Sequence, residues 1–180
     1  MLLKSYSLYI FRKEKSFMEI ERKFLIENLP SDLAGYKCLL IEQAYLCTCP
    51  VIRIRREDDN YYLTYKGKGL MAREEYNLPL NKEAYEHMLV KADGNIISKR
   101  RYLIPVTKPI FAKGYTLSDC SVKLTIELDI FDPPFAPLIV AEVEFPDEKM
   151  ANAFIPPAWL GEDVTNNPEY HNSNLSKRTL

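Results

Sequence analysis

The sequence predicts an α+β protein built around an antiparallel β-sheet or β-barrel. Seven segments alternate apolar and polar residues with a period of two, which is the pattern of a strand with one buried face. Turn-forming residues separate these segments at short intervals, and few segments show helical spacing. The seven predicted strands cover residues 19–26, 50–57, 60–67, 72–80, 95–106, 122–131 and 138–145.

The connections carry the residue types that tight turns require. These are "EDDN" at 57–60, "GKG" at 67–69, "DG" at 93–94 and "DPPFAP" at 132–137. The close spacing between residues 50 and 80 favours antiparallel hairpins over the long crossovers of parallel strands.

Helical spacing predicts four short helices. Their expected positions are residues 31–41 with Ser31 as N-cap, residues 81–92 beginning at Asn81, Asp147 to Phe154 before Pro156, and a last helix from about Pro168. Ser, Asn and Asp are favoured N-caps because their side chains accept a hydrogen bond from a backbone amide of the first turn.

Composition is that of one ordinary soluble domain. The chain has 180 residues, of which 47% are hydrophobic and 27% charged, so it is long enough to bury a core. The net charge of −1 provides no global field for nucleic acid or an anionic membrane, and neither is expected as a partner.

The cysteines indicate a reducing compartment. Cys38, Cys47, Cys49 and Cys120 form no CxxC pair, so thiols in the cytoplasm are a better interpretation than a zinc site. No apolar stretch approaches the ~20 residues that cross a bilayer. Residues 1–17, before Met18, are predicted to be a dispensable extension of the domain at 18–180.

Charged residues are sorted by strand. One side of each predicted strand carries Glu19, Glu21 and Lys23; Arg53 and Arg55; Lys66 and Lys68; Arg73 and Glu75; Lys99 and Arg101; Glu127 and Asp129; Glu142 and Glu144. The other side is mostly apolar, although Arg22, Arg56 and Arg100 break the rule. A single solvated face explains any one strand, but it does not explain why several strands are purely basic or purely acidic.

The cost of this sorting depends on where the charged side faces. Neighbours on one face of a strand lie ~7 Å apart, where like charges repel by roughly 0.6 kcal/mol in water and about 2.4 kcal/mol at an effective dielectric constant near 20. An enclosed interior of this kind therefore needs water, counterions and a charged ligand. The sequence favours a binding site inside the sheet if the sheet closes.

The residue types define that ligand. Clustered Arg and Lys side chains suit a polyanion, and guanidinium forks match phosphate oxygens. Clustered carboxylates suit Mg²⁺ or Mn²⁺. Together they predict a metal-bound phosphate chain held by side chains, since no GxxxxGK[ST] loop is present.

These same segments resemble the CYTH superfamily, the triphosphate tunnel metalloenzymes. The match rests on "EIERK" at 19–23 as an ExExK motif, followed in order by "QAYL" at 43–46, "RIR" at 53–55, "LTYKGKG" at 63–69, "REEY" at 73–76, "KRRY" at 99–102, "IELDIF" at 126–131, "AEVEF" at 141–145 and "YHNSNLS" at 170–176. The resemblance implies an eight-stranded antiparallel barrel with a charged tunnel and a C-terminal plug helix.

The resemblance also implies roles for individual residues. Glu19, Glu21, Asp129, Glu142 and Glu144 are the implied metal ligands, and Lys23, Arg53, Arg55, Lys66, Lys99 and Arg101 the implied triphosphate contacts. Glu75, Glu127, Lys68 and Arg73 are further tunnel residues. Lys23 and Tyr45 are the implied catalytic pair, with the Lys23 pKa expected to fall toward neutrality beside Arg53 and Arg55. His171 is expected to be structural.

Three functions compete at this stage. The first is hydrolysis of inorganic triphosphate or a small organic triphosphate such as thiamine triphosphate. The second is cyclisation of ATP to cyclic AMP, as in some relatives, for which no nucleoside pocket is evident. The third is a non-catalytic polyphosphate or nucleotide binding module, which would gain little from so many carboxylates. The sequence leaves a possible homodimer open.

Overall fold

The computed structural model describes residues 17–30, 32–116 and 122–179. The predicted extension lies outside these residues, apart from the backbone of Phe17, and so do Ser31 and Cys120.

Eight strands close into an antiparallel barrel, which confirms the predicted fold. Its order is β1-β5-β4-β3-β2-β6-β8-β9, and β9 pairs with β1 to complete the ring. The strands of the described residues are β1 (Phe17–Leu25), β2 (Lys37–Thr48), β3 (Val51–Glu57), β4 (Asn60–Lys66), β5 (Ala72–Leu80), β6 (Asp93–Pro105), β7 (Ile110–Phe111), β8 (Thr125–Phe131), β9 (Ile139–Glu144) and β10 (Phe154–Ile155). Strands β7 and β10 form a separate two-stranded sheet.

Three short helices accompany the barrel. They are α1 (Lys82–Leu89), α2 (Glu148–Ala153) and α3 (Asn172–Leu175), the last preceded by a 3-10 turn (Pro168–Tyr170). Asn81 and Asp147 accept the capping hydrogen bonds of α1 and α2, as predicted. In the described part of the chain, no helix combines the length and apolar character needed to cross a membrane.

The helix predicted at residues 31–41 is wrong. Residues from Lys37 onward form β2, and Ala34 and Gly35 form a turn before it. Leu39 and Ile41 are buried while Leu40 is exposed, which is strand alternation. A cluster of apolar residues this short fits both periods, and pairing with β3 and β6 selects the strand.

Most of the apolar core lies outside the barrel. Phe24, Leu128 and Val143 are fully buried and pack with Met150 of α2, whereas Ile54 packs against α1. On most strands the apolar side thus faces outward to the helices and loops and the charged side faces inward. Strand β2 is an exception, because its buried Leu39 and Ile41 lie opposite Arg101 and Lys99 of β6 on the inner face. Arg100 keeps this alternation: its side chain is 46% exposed and lies 3.9 Å from Asp132.

The C-terminus covers one end of the barrel as a shorter plug than predicted. Leu175 of α3 is fully buried with Tyr45 and Ile97. The backbone amide of Asn95 donates to the Ser176 carbonyl at 2.7 Å. The "DG" turn predicted at 93–94 is wrong, because both residues belong to β6 and Gly94, with φ +72°, lets this segment approach.

Candidate active site

The barrel encloses a cavity of about 630 Å³ lined by inward-facing charged side chains. Thirteen of the predicted site residues line it: Glu19, Glu21, Lys23, Tyr45, Arg53, Arg55, Lys66, Arg73, Glu75, Arg101, Glu127, Glu142 and Glu144. Lys99 and Asp129 are buried in the wall beside it. Lys68 follows the end of β4 and is exposed, so it does not face the cavity as predicted.

Acidic residues concentrate on the adjacent strands β1, β9 and β8. Glu21 lies directly opposite Glu144, and Glu142 opposite Glu127, an arrangement that is unfavourable for like charges. Burial and then the neighbouring carboxylates, Glu127 first, raise the pKa of Glu144 to about 7. Glu144 is itself exposed, so solvent screens part of this repulsion.

Several of these carboxylates bind cations of the neighbouring strands. Lys66 lies 2.6 Å from both Glu19 and Glu75, and Arg73 bridges Glu19 and Glu21 at 3.0 and 3.2 Å. Burial alone would raise the pKa of Glu75, but Lys66 outweighs it and lowers that pKa to about 2. These pairs set the positions of the side chains between β1 and β5.

The acidic strands β1, β9 and β8 form one wall of the cavity, here called the acidic wall. Arg101 of β6, the strand next to β8, contacts three of its acidic residues. Its guanidinium donates to both oxygens of Asp129 at 2.6 Å, to Glu142 at 2.6 Å, and to Glu127. Asp129 also binds Lys99. Burial outweighs this attraction and lowers the pKa of Lys99 to about 8.

Lys23 does not have the lowered pKa that we expected. It is buried, and burial by itself would lower its pKa, but contact with Glu142 and the Glu21 oxygen 3.7 Å away raises the pKa instead. The expectation failed because β9 places Glu142 directly opposite Lys23, nearer than either arginine of β3. Lys23 is therefore an ammonium ion in this arrangement.

Tyr45 faces the cavity from β2 at the end covered by α3. It is 2% exposed, and its hydroxyl accepts a hydrogen bond from the Gln43 amide at 3.3 Å. Burial raises the pKa of this hydroxyl, although Arg53 and Arg55 act against the rise. The phenol therefore stays protonated at neutral pH.

Arg53 and Arg55 form the basic side of the cavity on β3. Both are buried, and Arg53 Nε has no hydrogen-bond partner among the described residues. In the ring order, β3 lies four strands from β9 in either direction. The two arginines therefore lie on the strand opposite β9, and they line the same cavity as Glu142 and Glu144.

Sequence reasoning missed several polar residues of this site, and Gln43, Thr64 and His171 are the most buried of them. Gln43 and Thr64 are 0% exposed and contact the arginines of β3. His171 is buried, lines the cavity beside α3 and has an unpartnered Nε2 among the described residues. Burial and then Lys23 lower the pKa of His171. Gln43 and Thr64 share the inward side with Tyr45 and Lys66, so strict alternation would have found both.

The acidic wall has the donor chemistry of a hard divalent cation. Its ligands are carboxylate oxygens, which Mg²⁺ and Mn²⁺ prefer. Within the described ranges, no group of three or more His, Cys, Asp or Glu residues is arranged to hold a metal ion. Glu19, Glu21 and Glu142 each bind a lysine or arginine, so a metal ion held by these carboxylates would replace those cations as their partner.

Comparisons with known proteins agree with this geometry. The CYTH domain model matches residues 18–178. An inorganic triphosphatase of Nitrosomonas europaea is 33% identical over 162 residues, which are 88% of this chain and 96% of that protein. An inorganic triphosphatase of Acetivibrio thermocellus is 34% identical over 168 residues, 88% of this chain and 93% of that protein.

A solved structure extends the likeness to three dimensions. The crystal structure of the inorganic triphosphatase NE1496 superimposes with a TM-score of 0.61 at 31% identity, covering 91% of this chain and 97% of that one. Sequence, barrel and cavity all lead to the same assignment: the chain belongs to the CYTH domain family, the triphosphate tunnel metalloenzymes.

Proposed function

We propose that this protein is a metal-dependent hydrolase of inorganic triphosphate that works inside the barrel. The observation that carries the proposal is the polarity of the cavity, with Arg53 and Arg55 on β3 opposite the carboxylates of β9. A phosphate chain with a bound cation is complementary to both sides. The names of the two relatives and of the solved structure, each an inorganic triphosphatase, support the same substrate.

Triphosphatases of this family depend on a metal ion as a class. We propose Mg²⁺ or Mn²⁺ here, held by Glu19, Glu21, Glu142 and Glu144. When bound, the ion neutralises charge on the phosphate oxygens. Asp129 is fully buried and held by Arg101 and Lys99, so we propose that it anchors Arg101 instead of binding the metal directly.

The chain's own residues hold the substrate and stabilise the transferring group. Arg53, Arg55, Lys66 and Arg101 line the cavity and donate to phosphate oxygens. Lys23 supplies a buried ammonium where negative charge develops. Water attacks a terminal phosphorus as the bond from that phosphorus to the bridging oxygen breaks, and pyrophosphate leaves. The proton of the water passes to an oxygen of the phosphate that is the second product.

A substrate panel tests this function. Purified protein is incubated with tripolyphosphate, ATP or thiamine triphosphate and either metal, and phosphate, pyrophosphate and cyclic AMP are measured. We expect phosphate and pyrophosphate from tripolyphosphate. Arg53→Gln should lose this activity, whereas Arg100→Gln, a matched change on the outer surface, should keep it. Cyclic AMP from ATP without tripolyphosphate turnover would contradict the proposal.

A further inference from the structure

Two of the seven cations in the barrel wall differ from the others in their partners. Five of the seven have a side-chain nitrogen within 4.0 Å of a carboxylate oxygen: Lys23, Lys66, Arg73, Lys99 and Arg101. For Arg53 and Arg55 no carboxylate of the described residues lies within that distance. The two arginines are nevertheless buried, at 4% and 8% exposure.

Uncharged side chains hold both arginines in place. Gln43 Oε1 accepts from Arg55 Nε and Nη2 at 3.2 and 2.9 Å. Thr64 Oγ1 accepts from Arg53 Nη2 at 3.1 Å and donates to Asn77 at 2.6 Å. The amide orientation of Gln43 is fixed by chemistry, because a guanidinium has only donors and the carbonyl oxygen must face it.

The barrel register extends this pattern to every direct lateral neighbour on the inner face. Gln43 and Tyr62 are the cross-strand partners of Arg55, and Tyr45 and Thr64 are those of Arg53. None of these four neighbours is an acidic or a basic residue. Strands β2 and β4 therefore separate the arginines of β3 from the carboxylates of the other strands. Glu57 of β3 itself is linked to Arg55 only through the Tyr62 hydroxyl, which accepts from Arg55 Nη1 at 3.4 Å and donates to Glu57 at 2.9 Å.

A buried cation without a counterion is unfavourable unless a ligand supplies the negative charge. An amide can fix the direction of a guanidinium without compensating its charge, whereas a carboxylate would do both. Arg101 shows the second case, since it contacts three acidic residues. The unpartnered Nε of Arg53 is a second sign that a ligand is expected at β3.

We propose that Gln43 is a positioning residue. Its amide oxygen holds the Arg55 guanidinium without compensating the positive charge, which therefore remains available to a phosphate oxygen of the substrate. Thr64 holds Arg53 in the same manner. The inference rests on the proposed function and deepens it, because it names β3 as the place where the phosphate chain is bound most strongly. Substrate affinity thus depends on an uncharged residue at position 43.

The test compares two substitutions of nearly equal size. Gln43→Glu keeps an acceptor for Arg55 but adds a negative charge, and Gln43→Met keeps neutrality but loses the acceptor. We expect Gln43→Glu to raise KM for tripolyphosphate by roughly ten- to a hundredfold, the range for contacts to a charged group. Gln43→Met should raise KM less. Asn152→Asp, on the exposed side of α2, controls for net charge and should leave KM unchanged.

A merely structural role for Gln43 predicts the reverse order, with Gln43→Met the more harmful variant and Gln43→Glu close to wild type. Thermal unfolding of each variant separates affinity from folding, and we expect Gln43→Glu to remain at least as stable as wild type. Equal or lower KM in Gln43→Glu would overturn the inference and leave triphosphatase activity standing.

Calorimetric titration with tripolyphosphate in the absence of metal tests the inference apart from catalysis. Weaker binding by Gln43→Glu than by wild type, in a protein that hydrolyses nothing, would support the role of Gln43 and refute the proposed function. A wild-type protein that neither binds nor hydrolyses tripolyphosphate would overturn both.

Discussion

At the scale of single residues, two buried lysines of the barrel show that neighbouring groups determine the pKa of a side chain. Lys23 has its pKa raised by two carboxylates despite burial, whereas burial, assisted by Arg101, outweighs the attraction of Asp129 and lowers the pKa of Lys99 to about 8. The two lie on strands with the same inward alternation. Only the register across the sheet distinguishes them.

Substitution of Lys23 tests whether the residue acts as a cation or as a base. Lys23→Ala should lower kcat for tripolyphosphate by roughly a hundredfold or more, because a buried charge near the developing negative charge is lost. Lys23→Arg should retain clearly more activity than Lys23→Ala, since arginine keeps the charge but cannot accept a proton. Equal loss in both variants, with intact folding, would indicate a base instead.

Lys99 offers a stability test with a defined sign. Its folded pKa of about 8 lies below the ordinary value of 10.5, so the unfolded chain binds more protons between these pH values and stability rises with pH there. Lys99→Met removes the buried charge and leaves Asp129 bound by Arg101. We expect the variant to gain about 1–2 kcal/mol of unfolding free energy at pH 7.

Denaturant unfolding at pH 7, 8.5 and 10 measures this difference, which should shrink as pH rises. A variant that is strongly destabilised at pH 7 would show that the Asp129 pair, together with the Phe131 ring 5.1 Å from the ammonium, outweighs the cost of burial.

At the scale of elements, the plug α3 depends on one glycine of β6. A Cβ at Gly94 would lie 2.3 Å from the Ser176 carbonyl oxygen, too close for contact without movement. The positive φ of +72° also disfavours any residue other than glycine at position 94. The close approach of the C-terminal segment to the barrel end therefore requires glycine at position 94.

Gly94→Ala should displace Ser176 and loosen the plug. We expect faster hydrogen exchange at the Asn95 amide, whose acceptor is Ser176, and a lower melting temperature. Gly114→Ala is the matched control: its φ of +94° is also positive, but no atom lies within 4 Å of the added Cβ. Its cost should be limited to about 1–2 kcal/mol of backbone strain. Equal effects in both variants would mean that the contact with Ser176 is unimportant.

At the scale of the whole molecule, closure of the barrel places the basic strand and the acidic strands on opposite sides of one cavity. The basic strand β3 and the acidic strand β9 are far apart in sequence and face each other across the ring. Burial and then repulsion among the carboxylates on β1, β8 and β9 raise the pKa of Glu144 to about 7. A divalent cation would relieve that repulsion.

Metal binding should therefore stabilise the protein more at pH 8 than at pH 5.5. Glu144 binds its proton more tightly in the folded state, so without metal the stability falls as pH rises from about 4.5 to about 7. We expect Mg²⁺ or Mn²⁺ to raise the melting temperature at pH 8 and much less at pH 5.5, measured by thermal unfolding with EDTA as reference. Glu144→Gln should reduce both the pH effect and the metal effect. A metal response independent of pH would contradict this assignment.

The sequence by itself determined seven of the eight barrel strands, their inward and outward sides and most of the charged residues that line the cavity. These follow from local rules, because alternation and turn chemistry act over a few neighbouring residues. The helix expected at residues 31–41 failed where this local signal was ambiguous and pairing with β3 and β6 selected a strand.

Only the tertiary structure decided which charges meet. The alternation placed Lys23, Arg53 and Glu142 on one inner surface, but the register put Glu142 beside Lys23 and uncharged neighbours beside Arg53. Electrostatic energy depends on distances of a few ångström between residues that are distant in sequence. Those distances exist only once the eight strands have closed.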